Sequence, residues 1–122
     1  MSNVARKYSH LEKITELDEE GKCIDKYSIL IAKSATDIVQ EGKNMHHCVG
    51  SYVNKMMNED CVILFLRMSK VLDLSFITIE YNPHINSIVQ IKASQNRKAD
   101  KEVIDYIQKW AKEKNIIVSS IY

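Results

Sequence analysis

The sequence has little of what marks fibrous, secreted or membrane proteins. Three glycines and one proline in 122 residues exclude collagen-like, linker-like and proline-rich classes. No apolar run approaches the roughly 20 residues that a membrane-spanning helix needs, and the longest lies at residues 61–66. An excess of one charge is also missing, because 17 Lys and Arg oppose 16 Asp and Glu. We therefore expect one soluble globular domain with no membrane partner.

The cysteines form no paired motif. Cys23, Cys48 and Cys61 are odd in number and contain no Cys-x-x-Cys unit. The first residues are polar and lack the apolar segment of a secretory signal. Both observations predict a cytoplasmic protein with free thiols.

Residues 1–25 form a charged lead-in. Leu11, Ile14 and Leu17 recur at helical spacing among Glu and Lys, which predicts a short amphipathic helix that ends near Gly21. We therefore divide the chain into a lead-in helix at residues 1–25 and an α+β domain at residues 26–122.

Hydrophobic patterning in the second part predicts both strands and helices. Ser34 is placed to cap a helix that buries Ile38 and Val39 and stops at Gly42. Further helices are expected near residues 50–58 and 100–114, and strands near residues 27–32, 61–68, 73–81 and 85–93, with an edge strand after residue 115. The expected fold class is α+β: a single domain with an antiparallel three- to five-stranded sheet and helices packed mainly on one face.

The densest group of reactive side chains follows the first of these helices. His46, His47 and Cys48 precede the next helix, whose free N–H groups would lower the pKa of a nearby thiol. Two imidazoles beside a thiol also resemble a Cys/His nucleophile pair. The alternative is that Cys48 is a small buried residue and one histidine caps backbone groups.

A metal site is the other functional hypothesis for this segment. Adjacent residues point in different directions, so His46, His47 and Cys48 cannot easily bind one ion together. Cys61 or His84 would have to complete the ligand set. We therefore expect no metal and no other cofactor.

The order of polar motifs along the chain is similar to that of the PcfJ-like domain, a family named after a conjugative-plasmid protein and also seen in phage genomes. The motifs are Ser34, Glu41-Gly42, His46-His47-Cys48-Val49-Gly50-Ser51-Tyr52, Ile63, Arg67, Thr78-Ile79-Glu80, Ile88-Val89-Gln90, Asn96-Arg97 and a helix that ends at Trp110. Ala93 departs from the family pattern, which often has glycine there. The resemblance makes residues 26–122 a PcfJ-like α+β domain, and it implies a mobile-element context rather than a reaction.

The resemblance and the polar segment point to the same candidate site. The candidate catalytic residues are His46, His47, Cys48 and Glu80. The candidate ligand-binding residues are Tyr52, Arg67, Thr78, Gln90, Asn96 and Arg97. In this interpretation Arg67 and Asn96 hold an anionic or ribose-like ligand, and Glu80 acts as base or hydroxyl acceptor. The alternative is that Arg67 and Glu80 form a salt bridge across the sheet.

Three functions remain open at this point. The first is a pocket that binds, and in one version hydrolyses, a nucleotide-like small ligand. The second is a non-enzymatic module that acts on a host protein, including a phage factor that blocks a host defence. The third is nucleic-acid binding, for which the net charge is only +1. The candidate basic residues are Lys92, Arg97, Lys98, Lys101, Lys109 and Lys112. The sequence leaves the oligomeric state open.

Overall fold

The chain folds as a small α+β domain, which confirms the expected fold class. A computed structural model describes residues 1–47 and 50–119. The helices are α1 (Ser2–Lys7), α2 (Ala35–Met45), α3 (Gly50–Met57) and α4 (Lys101–Glu113), and the strands are β1 (Tyr27–Ile31), β2 (Val62–Met68), β3 (Ile77–Asn82), β4 (Ser87–Lys92) and β5 (Ile117–Val118). Among the described residues, no helix has the length and apolar character needed to cross a bilayer.

One sheet contains all five strands, in the order β1-β2-β3-β4-β5. The first three pairings are antiparallel, and β4 pairs with β5 in parallel. The parallel pairing follows from the connection, because α4 carries the chain back across the sheet before β5 begins. The expected edge strand is therefore present. It runs parallel to β4, whereas the expected sheet was antiparallel throughout.

Helices cover both faces of the sheet, whereas the sequence analysis placed most of them on one face. Tyr106 of α4 contacts Tyr27 of β1, with ring centroids 5.4 Å apart, whereas Glu41 of α2 contacts Thr78 of β3. Tyr27 and Thr78 lie on opposite faces, since successive strand residues alternate. The reason is visible in β2, where residues 62–66 are all buried. A strand that is apolar on both faces needs cover on both.

The lead-in helix differs most from expectation. The helix occupies Ser2–Lys7, and residues 12–17 are extended. Lys13 forms an antiparallel bridge with Ile29 of β1, so the segment shields a sheet edge rather than forming a helix. Leu11 is nevertheless buried, and its carbonyl accepts a hydrogen bond from Trp110 Nε1 at 2.9 Å. The lead-in thus packs against the same core as α4.

Helix α2 begins as expected but continues further. Ser34 caps it, because the Ser34 hydroxyl accepts a hydrogen bond from the Asp37 N–H at 3.1 Å. The expected stop at Gly42 is wrong, since α2 runs on to Met45 and ends at His46, whose φ is 55°. Ile38 is buried as expected, but Val39 is exposed. The extra turn brings the chain to the sheet surface just before α3.

Candidate functional site

The turn between α2 and α3 directs one histidine toward the sheet. The backbone N–H of His47 donates to the Gly42 carbonyl at 3.2 Å, which closes the end of α2. His46 occupies the left-handed cap position and is exposed, whereas His47 is half-buried. The structure therefore separates the two candidate histidines, and only His47 lines the cavity described next.

Polar side chains from five segments surround a small cavity on the α2/α3 face of the sheet. The cavity has a volume of about 20 Å³ and is lined by His47, Tyr52, Ile63, Thr78, Glu80, Gln90, Lys92 and Asn96. Six of these are candidate site residues of the sequence analysis. A single water needs roughly 10–15 Å³ on this measure, so the cavity admits one water-sized group.

Strand register explains why these residues meet. Glu80 pairs with Gln90, and Thr78 pairs with Lys92. Directly paired residues point to the same face of a sheet. Tyr52 reaches down from α3, and its hydroxyl donates to Gln90 Oε1 at 2.8 Å.

A buried carboxylate lies behind the cavity. Glu41 is 2% exposed, and its Oε1 accepts hydrogen bonds from Arg67 Nη2 at 2.7 Å and from the Ser75 hydroxyl at 2.6 Å. Its Oε2 accepts from the Thr78 hydroxyl at 3.2 Å. Burial raises the pKa of the Glu41 carboxyl, and its hydrogen-bond donors and the Arg67 charge oppose the shift only in part.

His47 extends this network to the cavity wall. Its Nε2 lies 3.2 Å from Thr78 Oγ1. Burial lowers the pKa of His47, and the positive charge of Lys92 lowers it further. The imidazole is therefore held neutral in a pH range where an exposed histidine is partly charged.

Arg67 pairs with Glu41 and not with Glu80, so the alternative of a salt bridge between Arg67 and Glu80 is wrong. Glu80 faces Ile63 on β2, and Arg67 lies four residues further along that strand, about 13 Å away. Arg67 instead donates to Glu41 and to the Leu72 carbonyl. Its guanidinium stacks on Phe65 at 4.9 Å, and its buried Nε has no hydrogen-bond partner among the described residues. Arg67 borders a separate groove of about 300 Å³.

The loop after β4 places Asn96 and Arg97 in the walls of two different depressions. Asn96 lines the small cavity, and Arg97 is exposed and lines a groove of about 410 Å³ together with Lys98 and Phe76. Ala93 has an extended backbone with φ −85° and closes the loop by donating to the Arg97 carbonyl at 2.9 Å. Alanine is tolerated in place of the family's glycine because Gln95 and Asn96, not Ala93, take the positive φ values.

Glu41 is a site residue that is absent from the sequence-based candidates, although the pattern of α2 contains a signal for it. Ile38, Glu41, Gly42 and Met45 are the buried residues of α2, and they follow helical i, i+3, i+4, i+7 spacing. A charged residue on such a stripe needs a buried partner. That partner is Arg67, the one charged residue of the apolar strand β2, and pairing the two residues identifies the network.

Cys48 lies outside the described residues, so its proximity to the histidines stays a prediction. Among the residues that the structure does describe, no three His, Cys, Asp or Glu side chains are grouped as a metal site. Cys61 is buried, and burial raises its pKa to about 12.

The three thiols are expected to react at different rates. Cys61 should resist iodoacetamide in the native protein at pH 8, because its thiolate fraction is about 10⁻⁴ when the pKa is about 12. Cys48, next to the histidines, should react fastest per unit of exposed thiol. Mass spectrometry of peptides after limited alkylation measures the labelling of Cys61 and of Cys48, and labelling in urea is the control. Fast native labelling of Cys61 would contradict its burial.

The sequence model of the PcfJ-like protein family matches residues 3–108. The chain belongs to this family. An uncharacterized protein of Listeria innocua is 32% identical over 102 residues, which cover 82% of this chain and 21% of the relative. The PcfJ-like chain thus spans about a fifth of the length of that curated relative. No solved structure gives a significant match.

Proposed function

We propose that this PcfJ-like chain binds a small nucleotide-like ligand on the α2/α3 face of its sheet. The observation that carries the proposal is the convergence of His47, Glu80, Gln90, Lys92 and Asn96 on one cavity. These residues come from the turn after α2, two strands and a loop, and they offer donors, acceptors and one positive charge. Several converging polar groups in a concave site are what fixes the orientation of a small ligand.

The size of the cavity limits what enters it. About 20 Å³ accepts a hydroxyl, an amino group or one phosphate oxygen, and not a whole nucleotide, since ligand pockets typically measure about 300–1,000 Å³. The body of the ligand would lie in the groove of about 410 Å³ that Arg97 and Lys98 border. The loop at residues 93–98 contributes to both. An anionic end would contact Arg97 and Lys98, although Asp100 on the same groove would oppose it.

A hydrolytic version of the proposal assigns proton transfer to two residues. A neutral imidazole is a suitable base near pH 7, and the depressed pKa of His47 keeps it neutral there. Glu80 lines the same cavity and is the second candidate for proton transfer.

A role in plasmid or phage biology, including interference with a host defence, belongs to the proposal as well and rests on the family resemblance alone.

The test is to incubate the protein with nucleoside mono-, di- and triphosphates and to analyse bound and released species by mass spectrometry. Gln90→Leu should weaken binding about tenfold, because it removes an amide that orients both Tyr52 and the ligand. Gln108→Leu is the matched control, since Gln108 is exposed on α4. Equal affinities of the two variants, or neither bound nor altered nucleotide with the unmodified protein, would refute the proposal.

A non-enzymatic interaction module is the second candidate, and the water-sized volume of the cavity favours it. In this case the polar network is structural, and the function belongs to a surface that binds a host protein. A candidate for such a surface is formed by exposed apolar side chains at and after the end of β2, namely Met68, Val71 and Leu74. Absence of nucleotide binding together with loss of stability in Gln90→Leu would select this candidate.

A further inference from the structure

One hydroxyl joins the buried carboxylate to the cavity histidine. Thr78 Oγ1 lies 3.2 Å from Glu41 Oε2 and 3.2 Å from His47 Nε2. Thr78 borders the cavity, whereas Glu41 borders the groove that Arg67 lines. The chain Arg67–Glu41–Thr78–His47 therefore runs through the protein interior between two surface depressions.

Counting protons fixes the direction of this chain. A threonine hydroxyl has a single proton, and an ionised carboxylate only accepts hydrogen bonds. Arg67 stays charged at any ordinary pH and contacts Glu41 Oε1 at 2.7 Å, so the carboxylate form has its counter-charge in place. Thr78 must then give its proton to Glu41, and His47 Nε2 must donate to Thr78. The lone pair of the neutral ring is then left on Nδ1, although a hydrogen bond between the ring and the His47 backbone favours the protonated ring.

We propose that Glu41 is a positioning residue that, through Thr78, holds His47 with its proton on Nε2 and its acceptor on Nδ1. Besides Thr78, the polar side chains that line the cavity with His47 are Tyr52, Glu80, Gln90, Lys92 and Asn96. Glu41 acts only through the shared hydroxyl. The part of the inference that gives Nδ1 a ligand to accept from, or a proton to remove, rests on the proposed function.

Nitrogen-15 NMR of the imidazoles in the full-length, ligand-free protein tests the proposal. We expect His47 to show the Nε2–H tautomer and an Hε2 proton that exchanges slowly with water. Thr78→Val should lower the ratio of Nε2–H to Nδ1–H about three- to tenfold, because one hydrogen bond is lost. Thr78→Ser should restore the ratio, since it keeps the hydroxyl.

Two further variants distinguish an effect transmitted through the Glu41–Thr78–His47 hydrogen bonds from a general effect of polarity on the tautomer. Ser75→Ala removes a different hydroxyl from the same Glu41 carboxylate and should leave the tautomer of His47 unchanged. Glu41→Gln introduces an amide that can donate to Thr78, so Thr78 can turn its proton toward His47. We expect this variant to raise the Nδ1–H share although residue 41 does not touch the ring.

An Nδ1–H ring in the unmodified protein would overturn the inference, and this holds even if a variant fails to fold. A ratio that does not change in Thr78→Val would overturn it as well. Because no nucleotide is present, these outcomes are independent of the ligand. A tautomer that behaves as expected in a protein that binds no nucleotide would refute the proposed function and leave the role of Glu41 standing.

Discussion

Replacing Arg67 with Met should destabilise the protein by about 3–5 kcal/mol, the usual cost of leaving a buried charge without its partner. Glu41 and Arg67 are 2% and 12% exposed, and their charged atoms are 2.7 Å apart. Without Arg67, the carboxylate keeps only hydroxyl donors. Urea unfolding followed by circular dichroism measures the change, and Glu41→Gln in the Arg67→Met background should recover part of it because the buried charge is gone.

Lys26 and Glu102 provide the matched control for this prediction. Their charged atoms are also 2.7 Å apart, but their side chains are 57% and 61% exposed. Exposed pairs contribute about 0–1 kcal/mol, so Lys26→Met should have a small effect. Similar losses in Arg67→Met and Lys26→Met would show that burial does not set the strength of the Glu41–Arg67 pair.

The loss in Arg67→Met should also depend on pH. Burial raises the pKa of Glu41 above its usual value of 4.5, so the folded protein keeps this proton where the unfolded chain releases it. The stabilisation that comes from this retained Glu41 proton is fully present below pH 4.5, and it is lost as the pH rises through the pKa of Glu41 in the folded protein. Removal of Arg67 shifts the folded pKa further upward. The loss should therefore be larger at neutral pH than near pH 4.5.

Trp110→Ala should destabilise the protein by about 3–5 kcal/mol, the usual cost of removing a fully buried aromatic side chain. Trp110 is 0% exposed, and its indole N–H donates to the Leu11 carbonyl at 2.9 Å. Truncation leaves a cavity under the sheet and an unpaired carbonyl in the lead-in. A domain of this size has only about 5–15 kcal/mol of stability in total, so the variant should unfold at much lower urea concentration.

Trp110→Phe separates the two contributions. Phenylalanine keeps most of the apolar volume but leaves the Leu11 carbonyl unpaired, which costs about 1–3 kcal/mol. Ile117→Ala is the control, since Ile117 is 60% exposed and surface truncations change stability little. A loss below about 1 kcal/mol in Trp110→Ala would contradict the packing of α4 and the lead-in into one core.

The sequence predicted the elements whose local pattern agrees with their tertiary environment. Helix α4 carries a regular apolar stripe, and β2 is a continuous apolar run, so both could be placed. Leu11, Ile14 and Leu17 have helical spacing, yet residues 12–17 are extended because Lys13 bridges to β1, a contact that local periodicity does not encode. The pattern predicts a helix stop at Gly42, but Gly42 is buried inside α2.

The candidate site was predictable in its residues and less so in their arrangement. The strand register that pairs Glu80 with Gln90 follows from an antiparallel meander, so their meeting could be expected. The pairing of Arg67 could not be, since Glu41 and Glu80 are both acids and only the path of α2 brings Glu41 to Arg67. Which charges are buried depends on contacts between distant segments.

An NMR titration of the histidine side chains with AMP, GMP, CMP and UMP tests most directly whether the cavity is a ligand site. The chain has four histidines, of which His47 lines the cavity and His10, His46 and His84 are exposed. We expect at least one nucleotide to shift the His47 signals to saturation while the signals of the other three histidines stay unchanged. Inorganic phosphate at the same concentration should leave the signals of all four histidines unchanged. If His47 does not shift with any nucleotide, or if all four histidines shift together in proportion to concentration, the cavity is not a nucleotide site.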